Sequence, residues 1–120
     1  MRETITLGGI PVDLDANGGT PIRYKMLFGK DIMKELANIK DSKENYDESI
    51  DILSRVAYVM NAQAKKEAGL MTHEGFIEFC EQFDDPFVFV QEAEKIIDIY
   101  FKNLKTTSES KNIQGPQSEK

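Results

Sequence analysis

Asp13, Asp15 and Asn17 put oxygen-bearing side chains at alternate positions, and Gly18 follows them. That order matches the first half of an EF-hand calcium loop, where alternate oxygens hold the ion and a glycine allows the sharp turn. The second half does not match. The twelfth position, which must supply a bidentate Glu, is Tyr24; the eighth is Thr20, and Pro21 follows it. The segment before the loop also has strand rather than helix periodicity. The stretch reads as a polar link from a hairpin to a helix. A calcium-responsive regulator stands as an alternative function, which a calcium titration separates.

The other reactive groups are isolated. His73 is the single histidine, and triads, zinc sites and imidazole acid–base chemistry all need partners for it. Glu74 is adjacent, but neighbours along a helix do not face each other. His73 reads as a surface residue at a helix start. Asp84 and Asp85 could shift each other's pKa as a carboxylate pair; beside Pro86 they read as helix-boundary residues. Cys80 is the only cysteine, so no disulfide forms within the chain and no usual zinc set exists. It reads as a small buried apolar residue. Gly8-Gly9 and Gly18-Gly19 lack the spacing of a phosphate loop. No catalytic constellation forms, and the expectation is a non-enzyme without metal or cofactor.

The elements that must carry these residues start with alternation. Ile5 and Leu7, then Ile10, Val12 and Leu14, repeat with period two around Gly8-Gly9. This predicts a hairpin with one buried face and a tight glycine turn. Pro11 has no N–H and needs an edge or an unpaired position. A lone hairpin is marginal in water and requires helices to cover it.

Helical spacing takes over near Thr20. Thr20 is expected to cap a helix with Pro21 in its first turn, and Gly29 to end it. Asp31 suits the start of a second helix with Ile32, Met33, Leu36 and Ile39 inward. Residues 40–45 read as a polar connection. A long central helix is predicted over 46–67, from Tyr46, Ile50, Leu53, Ala57, Met60 and Ala64, widened by Ile52, Val56 and Val59, with Gly69 ending it. Thr72 is expected to cap a helix at 73–83 that buries Phe76, Ile77, Phe79, Cys80 and Phe83. A last helix is expected from Pro86, with Val90, Ala93, Ile97, Tyr100, Phe101 and Leu104 as its stripe. The fold class is therefore mainly α: an N-terminal β-hairpin on a bundle of four or five helices, as one domain over 1–104. Residues 105–120 are polar apart from Ile113 and are expected to be disordered.

With 40% hydrophobic residues, the 120-residue chain can bury one modest core. A net charge of −6 repels phosphate backbones, and lysines and arginines are interspersed with acids along the chain, so nucleic acid is not an expected partner. No apolar run nears the roughly 18 residues of a membrane helix, and Met1-Arg2-Glu3-Thr4 is not a signal-peptide core. A cytoplasmic protein is expected. Phe87-Val88-Phe89-Val90 covers more than one helix face, so part of it must meet the hairpin, another copy or a client. Phe87, Phe89, Tyr100 and Phe101 are the candidate partner-binding residues.

Thr20-Pro21-Ile22-Arg23-Tyr24, followed by Phe28-Gly29-Lys30-Asp31, resembles a signature of the tail assembly chaperones of long-tailed phages and prophages of Gram-positive hosts. The order of the other parts is similar too: a glycine-turn hairpin, a central helix ending in small residues, Phe76-Ile77-Glu78-Phe79 with Phe83-Asp84-Asp85-Pro86, a last helix, and Lys-Thr-Thr-Ser at 105–108. Together they cover most of residues 4–107. Asn17-Gly18-Gly19 departs from the small non-glycine residues usual there. The resemblance implies a non-enzymatic chaperone in the host cytoplasm that binds the tape measure protein, assists the tail-tube protein and acts as a homo-oligomer. It also implies that a ribosomal frameshift can add a longer extension after the polar tail. A generic protein-interaction adaptor is a further alternative.

Overall fold

The computed structural model describes residues 2–41 and 46–102. Strand β1 (Arg2–Leu7) and strand β2 (Ile10–Asp15) form an antiparallel hairpin in which Leu7 faces Ile10 and Ile5 faces Val12. Gly8 and Gly9 make the two-residue turn with φ of 57° and 86°, the left-handed conformation such hairpins need. Ile5, Leu7, Val12 and Leu14 are buried on one face. Pro11 pairs with Thr6, one step beyond the bonded pair at the turn, so ladder alternation directs its nitrogen away from β1.

Helix α1 (Thr20–Phe28) begins differently from the expectation. Thr20 is not its cap: the cap position is Gly19, without a side-chain bond. The buried Thr20 hydroxyl instead accepts from the Asn17 N–H at 2.9 Å, closing the loop from behind. Pro21 lies in the first turn, and Gly29 ends the helix at φ 69° with its N–H on the Lys25 carbonyl. Asp31 then caps helix α2 (Ile32–Asp41), its Oδ1 accepting from the Met33 N–H at 2.9 Å. Ile32 and Leu36 face the core, whereas Met33 faces outward, against expectation. The helix runs into the stretch read as a connection; residues 42–45 lie outside the described residues.

Helix α3 (Tyr46–Ala64) is the centre. Ile52, Leu53, Val56, Ala57, Val59 and Met60 have no exposed surface, so this helix is enclosed on most sides. It ends three residues earlier than 67. Lys66 adopts φ 60°, and Gly69 sits inside a separate 3-10 turn, Ala68–Leu70, rather than ending α3. Tyr46, assigned to the inner face, is exposed.

Helix α4 (His73–Glu81) is capped as expected by Thr72, whose hydroxyl accepts from the Gly75 N–H at 2.9 Å. The single last helix is a correction. Asp85 Oδ1 accepts from the Phe87 N–H at 2.9 Å and starts a one-turn helix, α5 (Val88–Gln91). The chain breaks at Glu92 and resumes as α6, residues 93–102. Ile96, Ile99 and Tyr100 carry its buried stripe. Leu104 and the tail expected at 105–120 lie outside the described residues.

The hairpin lies on α3 and is tied to it by polar bonds. Asn61 Nδ2 donates to the Asp13 carbonyl at 2.9 Å, and Asn17 Nδ2 donates to Gln63 Oε1 at 2.9 Å. The result is a mainly helical fold with the N-terminal hairpin packed on the helices.

Candidate functional site

The Thr20–Asp31 segment builds the α1–α2 corner, and most of its residues have structural work. Tyr24 is fully buried and joins three helices. Its hydroxyl donates to Glu35 Oε1 at 2.5 Å, Arg55 Nε donates to the Tyr24 oxygen at 3.1 Å, and Arg55 pairs with Glu35 Oε1 at 2.8 Å. Arg55 also lies 5.8 Å from the centre of the Phe28 ring, which meets Phe76 edge-on at 5.2 Å. Burial, then the bond to Glu35, hold the Tyr24 phenol well above its ordinary pKa, so it stays protonated. Burial opposes the Arg55 charge, but its bonds to Tyr24 and Glu35 outweigh that and raise its pKa. The three groups satisfy one another and clamp α1, α2 and α3. Sequence reading missed them, because no spacing links residues on three helices. The one available signal is an arginine amid the apolar run of α3.

Among the described residues, three hollows that carry exposed apolar side chains are candidates for binding. The first lies between α1 and the 3-10 turn, a shallow hollow of about 210 Å³ lined by Arg23, Met26, Leu27, Ala68, Gly69 and Met71. Leu70 beside it is 77% exposed and Met26 is 76% exposed. Arg23 has no side-chain partner among the described residues. The second is a notch of about 500 Å³ between α1 and α2, lined by Pro21, Ile22, Lys25, Met26, Asp31 and Ile32. Ile22 is exposed there. The third is a groove of about 370 Å³ between α3 and α4, with Ile50, Phe76, Ile77, Cys80 and Phe83 in its walls and Asp51 and Glu81 among its lining. Ile77 is exposed; so are Tyr46 and Phe87, which meet edge-on at 6.0 Å.

The basic residues are not evenly interspersed, against the expectation: Arg23, Lys25, Lys30 and Lys34 lie within residues 23–34 on the α1–α2 corner, with Asp31 the single acid of that stretch.

The sequence candidates separate. Phe87 is exposed and Phe101 half-buried, whereas Phe89 and Tyr100 belong to the core. Phe89 packs against Phe79 and Phe83, with ring centres 6.2 and 5.3 Å apart. Of the Phe87–Val90 run, Val88 meets the hairpin turn: a Cβ added at Gly8 would come within 2.8 Å of Val88 Cγ1. His73 is exposed, its Nε2 2.8 Å from the Leu27 carbonyl. Asp84 is exposed and Asp85 is a cap. Cys80 is half-buried, and burial raises its pKa despite the Ser54 hydroxyl, which keeps it a thiol. In the calcium-like stretch, Asp13 accepts from the Thr4 hydroxyl, and Asn17 is engaged with Gly19 and Gln63. Among the described residues no group of three or more His, Cys, Asp or Glu side chains is placed to hold a metal, and no helix is long and apolar enough to cross a membrane. No family model, curated protein or solved structure matches the chain.

Proposed function

We propose that the protein is a non-enzymatic tail assembly chaperone that acts in the host cytoplasm, binds the tape measure protein, assists the tail-tube protein and works as a homo-oligomer. The observation that carries this reading is Arg23. It is the polar residue of the Thr20–Tyr24 motif that the fold does not use, and it lines the Met26–Met71 hollow beside exposed Leu70. Such a surface suits an apolar helical segment. Methionine side chains adapt to varied partners, and Arg23 can bond carbonyls or carboxylates of the client. Burying Leu70 fully contributes about 1.5–3 kcal/mol.

The test is co-expression with the tape measure protein of the same genome, scored as soluble client. The wild-type chain raises the yield, and the effect survives moderate salt because apolar burial is not screened. Leu70→Ser lowers the yield while circular dichroism and melting stay unchanged, since the side chain is exposed. A client that stays insoluble with the wild-type chain, or a Leu70→Ser chain that rescues it fully, refutes the reading.

A further inference from the structure

We propose that the α1–α2 notch of one copy docks into the α3–α4 groove of the next, so that the chain associates head to tail. Both surfaces are apolar at the centre; lysines outnumber acids around the notch, and acids alone surround the groove. Ile22 stands exposed in the notch, which Lys25 and Asp31 line, Asp31 being held as the cap of α2. Lys30 and Lys34 are exposed on the same corner. In the groove, Ile77 stands exposed and Asp51 and Glu81 line it. The surrounding segments, 47–51 and 74–85, carry Asp47, Glu48, Glu74, Glu78, Asp84 and Asp85 as well, and contain no lysine or arginine. None of Lys25, Lys30, Lys34, Asp51 and Glu81 forms an ion pair among the described residues.

Charge decides between the possible pairings. Notch on notch brings lysines together, and groove on groove brings carboxylates together; like charges at a contact select against both. Notch on groove joins opposite charges and covers Ile22 and Ile77 at once. The notch and groove share no lining residue, so each copy can use both. A contact of this kind is heterologous, and it extends until it closes a ring or grows as a filament. The client hollow at Leu70 shares Met26 with the notch, while Arg23, Leu70 and Met71 lie outside both surfaces. The inference rests on the homo-oligomer of the proposed function but needs no client: a monomeric chain removes that clause, while soluble client yield is scored separately by co-expression.

The experiment is sedimentation velocity on the full chain and two variants, Ile22→Asp and Ile77→Lys. Each variant puts a repelling charge on one surface only, at an exposed position where circular dichroism can confirm folding. The wild-type chain associates with rising concentration. Each variant alone is monomeric. An equimolar mixture associates again, because the intact notch of one variant meets the intact groove of the other. A wild-type chain that is monomeric at hundreds of micromolar overturns the proposal. So does a folded variant that associates like wild type, or a mixture that stays monomeric.

Discussion

Replacing Tyr24 by Phe removes one oxygen from the clamp and nothing else. The Arg55 Nε–H loses its 3.1 Å acceptor, and Glu35 loses the donor at 2.5 Å while keeping Arg55. Leaving a buried donor unsatisfied costs about 1–3 kcal/mol, so about 2 kcal/mol is expected at pH 7, a fall of roughly 10 °C in melting temperature for a domain of this size. The pH dependence makes the test specific. Tyr24 has a folded pKa raised above its ordinary value of 10.0. As pH rises past 10, the unfolded chain releases this proton while the folded chain keeps it. Stability is complete below pH 10 and falls above it, by about 1.4 kcal/mol for each pH unit. The variant lacks the group and lacks that fall. Urea melts should show the wild-type advantage shrinking from about 2 kcal/mol at pH 7 to about 0.6 kcal/mol at pH 11. Tyr100, whose pKa burial also raises, is common to both proteins and cancels. A gap that is equal at both pH values refutes the reasoning.

The two turn glycines should respond unequally to alanine. Gly8→Ala brings a Cβ within 2.8 Å of Val88 Cγ1 in addition to its positive φ, whereas Gly9→Ala meets nothing within 4 Å. Thermal melts should show a loss of about 1 kcal/mol for Gly9→Ala, from the left-handed backbone alone, and a larger one for Gly8→Ala; equal losses contradict the packing. Phe89→Ala should cost about 3–5 kcal/mol as a core truncation, while Phe87→Ala, 45% exposed, should stay below about 1 kcal/mol. Denaturant melts that rank the two in the opposite order count against the burial described here.

The hairpin was legible because two independent signals agreed: alternation of Ile5, Leu7, Val12 and Leu14, and paired glycines between the runs. The Gly29 and Asp31 boundary and the Thr72 cap were legible because capping is local chemistry, decided within four residues. The break at Glu92 was not, since nothing at residues 91–93 forbids a helix. Tertiary packing puts it there, where α5 must hold Val88 against Gly8 before α6 can turn Ile96 and Tyr100 inward. Phe89 and Tyr100 looked like docking residues because a run of apolar side chains does not say which of them the chain itself will cover. The basic corner at 23–34 was legible in the sequence but lost in the net charge of the whole chain, which the acids elsewhere dominate.

The polar ties from Asn61 to Asp13 and from Asn17 to Gln63 have a consequence for synthesis on the ribosome. The hairpin precedes all of its cover in the sequence: the C-terminal half of α3, then Val88 of α5 at the turn and α6 beside β1. At about 5–20 residues per second, the interval between residue 15 and residue 64 is roughly 2–10 s. For that time Ile5, Leu7, Val12 and Leu14 wait without the surface that later encloses them. Thr4, Thr6 and Asp13 on the other side of the ribbon keep it from offering two apolar faces to neighbouring nascent chains. Translation speed through α3, and on to Val88 and α6, sets how long that exposure lasts.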